Sequence, residues 1–142
     1  MLYRDYSVVT DVKVINDQFG SLSPFNLEKD IKNISESELT NISKNIANEL
    51  RIGPHGNTYT SNYKSKIDIK IGYVKIRCED KARNNGKSGG YRCIVLVDES
   101  INYGFLLHIY RHSHGENSDI TKSAKNQLKI LVEEYAKCKK VN

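Results

Sequence analysis

Three arginines far apart in the chain, Arg77, Arg92 and Arg111, each stand at the end of an apolar, strand-like run. If Tyr91–Val97 and Phe105–Tyr110 form a hairpin about the Glu99–Ile101 turn, Arg92 falls opposite about Ile109 and Arg111 opposite about Gly90. If the strand ending at Arg77 also pairs with the Tyr91 strand, Arg77 lies opposite Arg92. The segment between those two strands adds Lys81, Arg83 and Lys87, and the chain after Tyr110 adds His112 and His114. Cations gathered in this way repel one another, and a bound phosphate relieves the repulsion. The chemistry such a cluster suits is the handling of a polyanion.

A plainer reading stands beside this one: solvated strand ends carrying Lys and Arg without a ligand, partly offset by Glu79 and Asp80. Arg92 is the sharpest residue of the set. It alternates onto the face of Ile94 and Leu96, so its stem leaves an apolar strand and its head is held. A planar, permanently charged fork can donate two parallel hydrogen bonds to a phosphate. It can equally serve a structural pair with Asp98 or another acid.

The elements that must position these residues follow from periodicity. Val8 to Ile15 reads as a strand. Ser23-Pro24 opens a short helical stretch containing Phe25, Leu27 and Ile31. Ser35-Glu36-Ser37-Glu38 fits a capping box, and Leu39, Ile42, Ile46 and Leu50 then line one helix face until Gly53-Pro54 stops it. The stretch 53–65 is polar and reads as a loop. From Ile67 the period is two, with Ile67, Ile69, Ile71 and Tyr73 on one face and then Val74, Ile76 and Cys78, a switch that points to a bulge near Gly72. Tyr91–Val97 and Phe105–Tyr110 are apolar on both faces, as in covered central strands. Ile120, Ala124, Leu128, Leu131 and Tyr135 trace a last helix, closed by Lys137, Lys139 and Lys140 as cations at its C-terminus. The expected class is α+β: a small, mostly antiparallel sheet packed against N-terminal helices, with a C-terminal helix.

With 142 residues, one domain over 1–142 is expected, a strand-plus-helix half over 1–65 and a strand half with the closing helix over 66–142. The content of 38% hydrophobic and 27% charged residues is that of a globular chain, not a disordered one. No run approaches the roughly 18 apolar residues of a membrane span, and the first residues carry no signal-like apolar core, so a cytoplasmic location without membrane contact is expected. Three cysteines, Cys78, Cys93 and Cys138, without CxxC spacing read as reduced thiols. The net charge of +5 favours anionic partners.

Gly86-Lys87-Ser88-Gly89-Gly90-Tyr91-Arg92-Cys93-Ile94-Val95 resembles the strand start of RelE/HigB-type toxins, members of the RelE/ParE superfamily found in type II toxin–antitoxin systems. Tyr73-Val74-Lys75-Ile76-Arg77 is similar to the family's preceding basic strand, and Leu106-Leu107-His108-Ile109-Tyr110-Arg111-His112-Ser113 to its final strand. The likeness covers about 66–135; residues 1–65 agree only in element order. It implies ribosome-dependent cleavage of mRNA by attack of a ribose 2′-OH on the adjacent phosphate, without a metal or other cofactor, leaving a 2′,3′-cyclic phosphate and a 5′-OH.

Carried across, the resemblance makes Arg92 the holder of the scissile phosphate. Arg77 or Lys75 shares that role or acts as base, and Tyr110 and His112 sit in the final-strand segment that carries catalytic groups. Many relatives have lysine where His112 stands, and His114 is the next candidate. Lys81, Arg83, Lys87, Arg111 and His114 would contact RNA. The expected partners are mRNA on the ribosome and a cognate antitoxin, with a helix-turn-helix DNA-binding domain. Two other readings remain open: a ParE-like toxin that poisons DNA gyrase, and a non-catalytic module that binds RNA or protein through the same basic face.

Overall fold

The computed structural model describes residues 5–52, 59–78, 90–111 and 120–141. Their order is β1 (Ser7–Val9), α1 (Val12–Phe19), α2 (Leu27–Ile31), α3 (Glu36–Ile52), β2 (Tyr59–Lys64), β3 (Ile71–Cys78), β4 (Tyr91–Asp98), β5 (Tyr103–Arg111) and α4 (Lys122–Val141). The five strands form one open sheet in the order β1-β5-β4-β3-β2. Its pairs are antiparallel except for β1, which runs parallel to β5. The class is α+β. No helix among the described residues is long and apolar enough to cross a membrane.

Helices cover both faces of the sheet. On one side α3 buries Ile42, Ile46 and Leu50, and its Glu38 accepts a hydrogen bond from Tyr91. On the other, α4 lays Leu128, Leu131 and Val132 into the core with no exposed surface. Phe19 of α1 meets Phe105 edge-on at 5.3 Å on that same side. Strand β4 is buried along its whole length, as a central strand between two helical layers must be.

Four local expectations are corrected. The strand read over Val8–Ile15 is only three residues long, because Asp11 accepts from the backbone N–H of Lys13 and Val14 and starts a helix. Ile15 and Phe19, four apart, form its buried stripe. Part of the stretch read as a loop over 53–65 is strand β2; residues 53–58 lie outside the described residues. Ile67 and Ile69 precede β3, and Ile69 is exposed. The bulge lies in β2, between Ser61 and Tyr63, while β3 runs against β4 without interruption. There Asn62 Oδ1 accepts from the Lys75 N–H at 3.0 Å. Gly72 has a different function. A Cβ at that position would stand 2.2 Å from the Tyr63 carbonyl oxygen, so the β2 backbone approaches where a side chain cannot fit.

The capping box forms only in part. Ser35 Oγ accepts from the Glu38 N–H at 3.2 Å, but the Glu38 carboxylate accepts from the Tyr91 hydroxyl at 2.9 Å. Lys139 is likewise more than a solvated end charge. Its ammonium donates to the fully buried carboxylate of Asp98 and to Ser100 Oγ. Tyr135 donates to the same carboxylate at 2.7 Å, so this set fixes α4 to the β4–β5 turn.

Candidate functional site at one end of the sheet

The geometry of the site is set by register. Arg77 and Arg92 are direct cross-strand partners in the β3–β4 pair, so their side chains leave the same face. On the other side of Arg92 stands Tyr110, not Ile109. The difference of one residue comes from a bulge in β5: Ile94 faces His108 while Val95 faces Leu106, leaving Leu107 without a facing residue. Beyond an inserted residue every side chain changes face. The bulge therefore turns His108 and Tyr110 onto the Arg92 face, with Lys75 farther along β3.

The same parity sends Arg111 to the opposite face. It stands across from Tyr91, its guanidinium donates to the Tyr91 hydroxyl at 2.8 Å, and its charge lies 4.7 Å from that ring's centroid. The Tyr91 hydroxyl in turn donates to Glu38. Arg111 shares the sheet end with Arg77 and Arg92 but is held toward α3, which corrects the expectation of three arginines in one cluster. Lys81, Arg83, Lys87, His112 and His114 lie outside the described residues.

Arg92 is 5% exposed, whereas Arg77 is open to solvent. Burial, and then the charge of Arg77, draw the Arg92 guanidinium below its ordinary pKa. One of its nitrogens donates to the Tyr91 carbonyl at 3.4 Å. The structural pairing with Asp98 is absent, since that carboxylate lies at the other end of β4 and is satisfied by Ser100, Tyr135 and Lys139. An anion arriving from solvent meets Arg77 first, with the Arg92 charge set behind it in a less polar surrounding. There Coulomb attraction is stronger than in water.

Three residues that sequence reasoning did not place in the site, His108, Asp30 and Phe25, complete this face. His108 Nδ1 stands 2.6 Å from Asp30 Oδ2, and its ring stacks on Phe25 at 4.0 Å with an interplanar angle of 1°. Tyr110 follows at 5.1 Å from the same imidazole. An ionised carboxylate only accepts, so His108 Nδ1–H donates to Asp30, and in the neutral imidazole that tautomer places the lone pair on Nε2. The available signal was a histidine inside the otherwise apolar run Leu106–Ile109; without the bulge it would have been assigned to the α3 face.

The face can therefore bind an anion through a cation pair and offers a held imidazole and a phenol beside it. No family model, no curated protein and no solved structure matches the chain.

Proposed function

We propose that the protein is an RNA-cleaving toxin of the RelE/HigB type, a metal-independent endoribonuclease acting on mRNA at the ribosome and held in check by an antitoxin. The family assignment rests on the likeness of 66–135 to those toxins. The observation that carries the chemistry is the cross-strand pair Arg77–Arg92, one cation exposed and one desolvated, on the face that also carries Lys75 and Tyr110.

The reaction needs charge stabilisation where the pentacoordinate phosphorus forms, and two nearby guanidinium groups supply it. Attack by the 2′-OH requires an acceptor for its proton, and departure of the 5′ oxygen requires a donor. Tyr110, beside Arg92, and Lys75, farther along the same face, are the described groups assigned to those transfers, with His112 as the candidate carried over from the family.

Expression in bacterial cells followed by mapping of transcript ends tests the reading. The expected outcome is growth arrest with mRNA fragments bearing 5′-OH ends, both lost in Arg77→Gln. DNA damage with intact transcripts would make the protein a gyrase poison instead. Intact transcripts with retained RNA binding would make it a non-catalytic module.

A further inference from the structure

Resting on that reading and deepening it, we propose that the groove between Phe25 and the first turn of α4 holds the nucleobase of the ribonucleotide whose phosphate lies on the Arg77–Arg92 pair. The groove encloses about 360 Å³ and is lined by Phe25, His108, Tyr110, Ile120, Thr121 and Ala124. Small-molecule sites begin at about 300 Å³, so the space has room for a single nucleobase.

Three features select a flat heteroaromatic ring over other occupants. First, the Phe25, His108 and Tyr110 rings form a column with successive separations of 4.0 Å and 5.1 Å. Asp30 pins the middle ring, so this stacking surface is ordered before any ligand arrives. Second, Ile120 and Ala124 belong to the apolar stripe of the last helix, yet both stay half-buried where Leu128 and Leu131 are fully covered. The stripe runs past the core and becomes a groove wall, leaving apolar surface for a ligand's second face. Third, the groove adjoins the cation pair: Tyr110 lines it and is the direct cross-strand partner of Arg92.

The polar edge of a base finds partners as well. Thr121 Oγ1 accepts from the Ala124 N–H at 3.1 Å, which leaves its hydroxyl proton free to be donated. His108 Nε2 has no hydrogen-bond partner among the described residues. An aliphatic chain would leave these groups unmet and would gain nothing from the adjacent arginines.

Calorimetric titration with inorganic phosphate, adenosine and adenosine 3′-monophosphate tests the assignment on the full chain. The nucleotide is expected to bind at least tenfold tighter than phosphate. Ala124→Phe, and the milder Ala124→Leu, fill the groove on a residue that makes no side-chain hydrogen bond; both should remove that advantage and leave phosphate affinity unchanged. Arg77→Gln should weaken phosphate and nucleotide alike and leave adenosine unaffected.

Nucleotide affinity no greater than that of phosphate, or an advantage that survives in a folded Ala124 variant, overturns the base groove while the cation pair stands. Adenosine binding without phosphate binding overturns the cation pair and keeps the groove. Binding of none of the three overturns both.

Discussion

The Arg92 guanidinium is drawn out of water at the end of an apolar strand and then set beside a second guanidinium. Both circumstances raise the free energy of its charged form. A phosphate would reverse both, which is the physical reason to assign the pair to ligand binding. Arg77→Gln should leave the melting temperature within experimental scatter, since exposed substitutions typically change stability by less than about 0.5 kcal/mol. The same change should lower RNA cleavage about a hundredfold, the scale on which single charge-stabilising donors act. Lys139→Ala, remote from this site, should do the reverse. Removing the ammonium leaves the buried Asp98 carboxylate with fewer donors, so a loss of about 1–3 kcal/mol is expected in chemical denaturation, with cleavage unchanged. The Arg77–Arg92 contact was legible from alternation and loop placement. The Asp98–Lys139 contact was not, because nothing local links a strand-end carboxylate to a lysine 41 positions later.

At the scale of elements, one inserted residue in β5 decides which side chains meet. Without it, His108 and Tyr110 would face α3 and Arg111 would join Arg92; with it, the imidazole and the phenol flank the cations and Arg111 is held by Tyr91. A run apolar on both faces gives no parity signal, so neither this bulge nor its consequence could be read from the chain. The helix cap at Ser35 was legible, since it places a side-chain oxygen just before an apolar stripe of helical spacing, whereas the Asp11 cap was not, because the alternation of Val8, Val12 and Val14 around it reads as a strand. Strand β2 escaped notice because Tyr59–Lys64 is polar and lies at the edge of the sheet, where hydrogen bonding to β3 holds it without an apolar pattern. Gly72 marks where β2 comes closest. Gly72→Ala should destabilise by at least about 2 kcal/mol, because the added carbon meets the Tyr63 backbone rather than a side chain that can rotate away. Thermal unfolding of the variant checks this.

For the molecule as a whole, two carboxylates, the half-buried Glu133 and the buried Asp98, fasten α4 to the sheet and make stability depend on acidity. Burial alone would raise Glu133. Hydrogen bonds from the Lys66 N–H, Ser65 and Tyr63 more than offset it and hold the carboxyl down from 4.5 to about 2. Asp98 is also lowered: donors from Lys139, Ser100 and Tyr135 outweigh its desolvation. Groups with depressed folded-state pKa values stabilise above the unfolded value and lose that contribution as pH falls through the folded one. The Glu133 contribution is therefore complete above pH 4.5 and fades toward about pH 2. Denaturation midpoints measured between those limits should fall steeply in the native chain and more gently in Glu133→Gln.

The reaction itself offers the most direct check on the arginine pair. Programmed ribosomes carrying a defined mRNA can be incubated with the native protein and with Arg77→Gln, and the ends of the fragments identified. The native protein should produce 2′,3′-cyclic phosphate and 5′-OH termini, with the variant folded and about a hundredfold slower. Fragments with 5′-phosphate ends, or equal cleavage by both proteins, would contradict it.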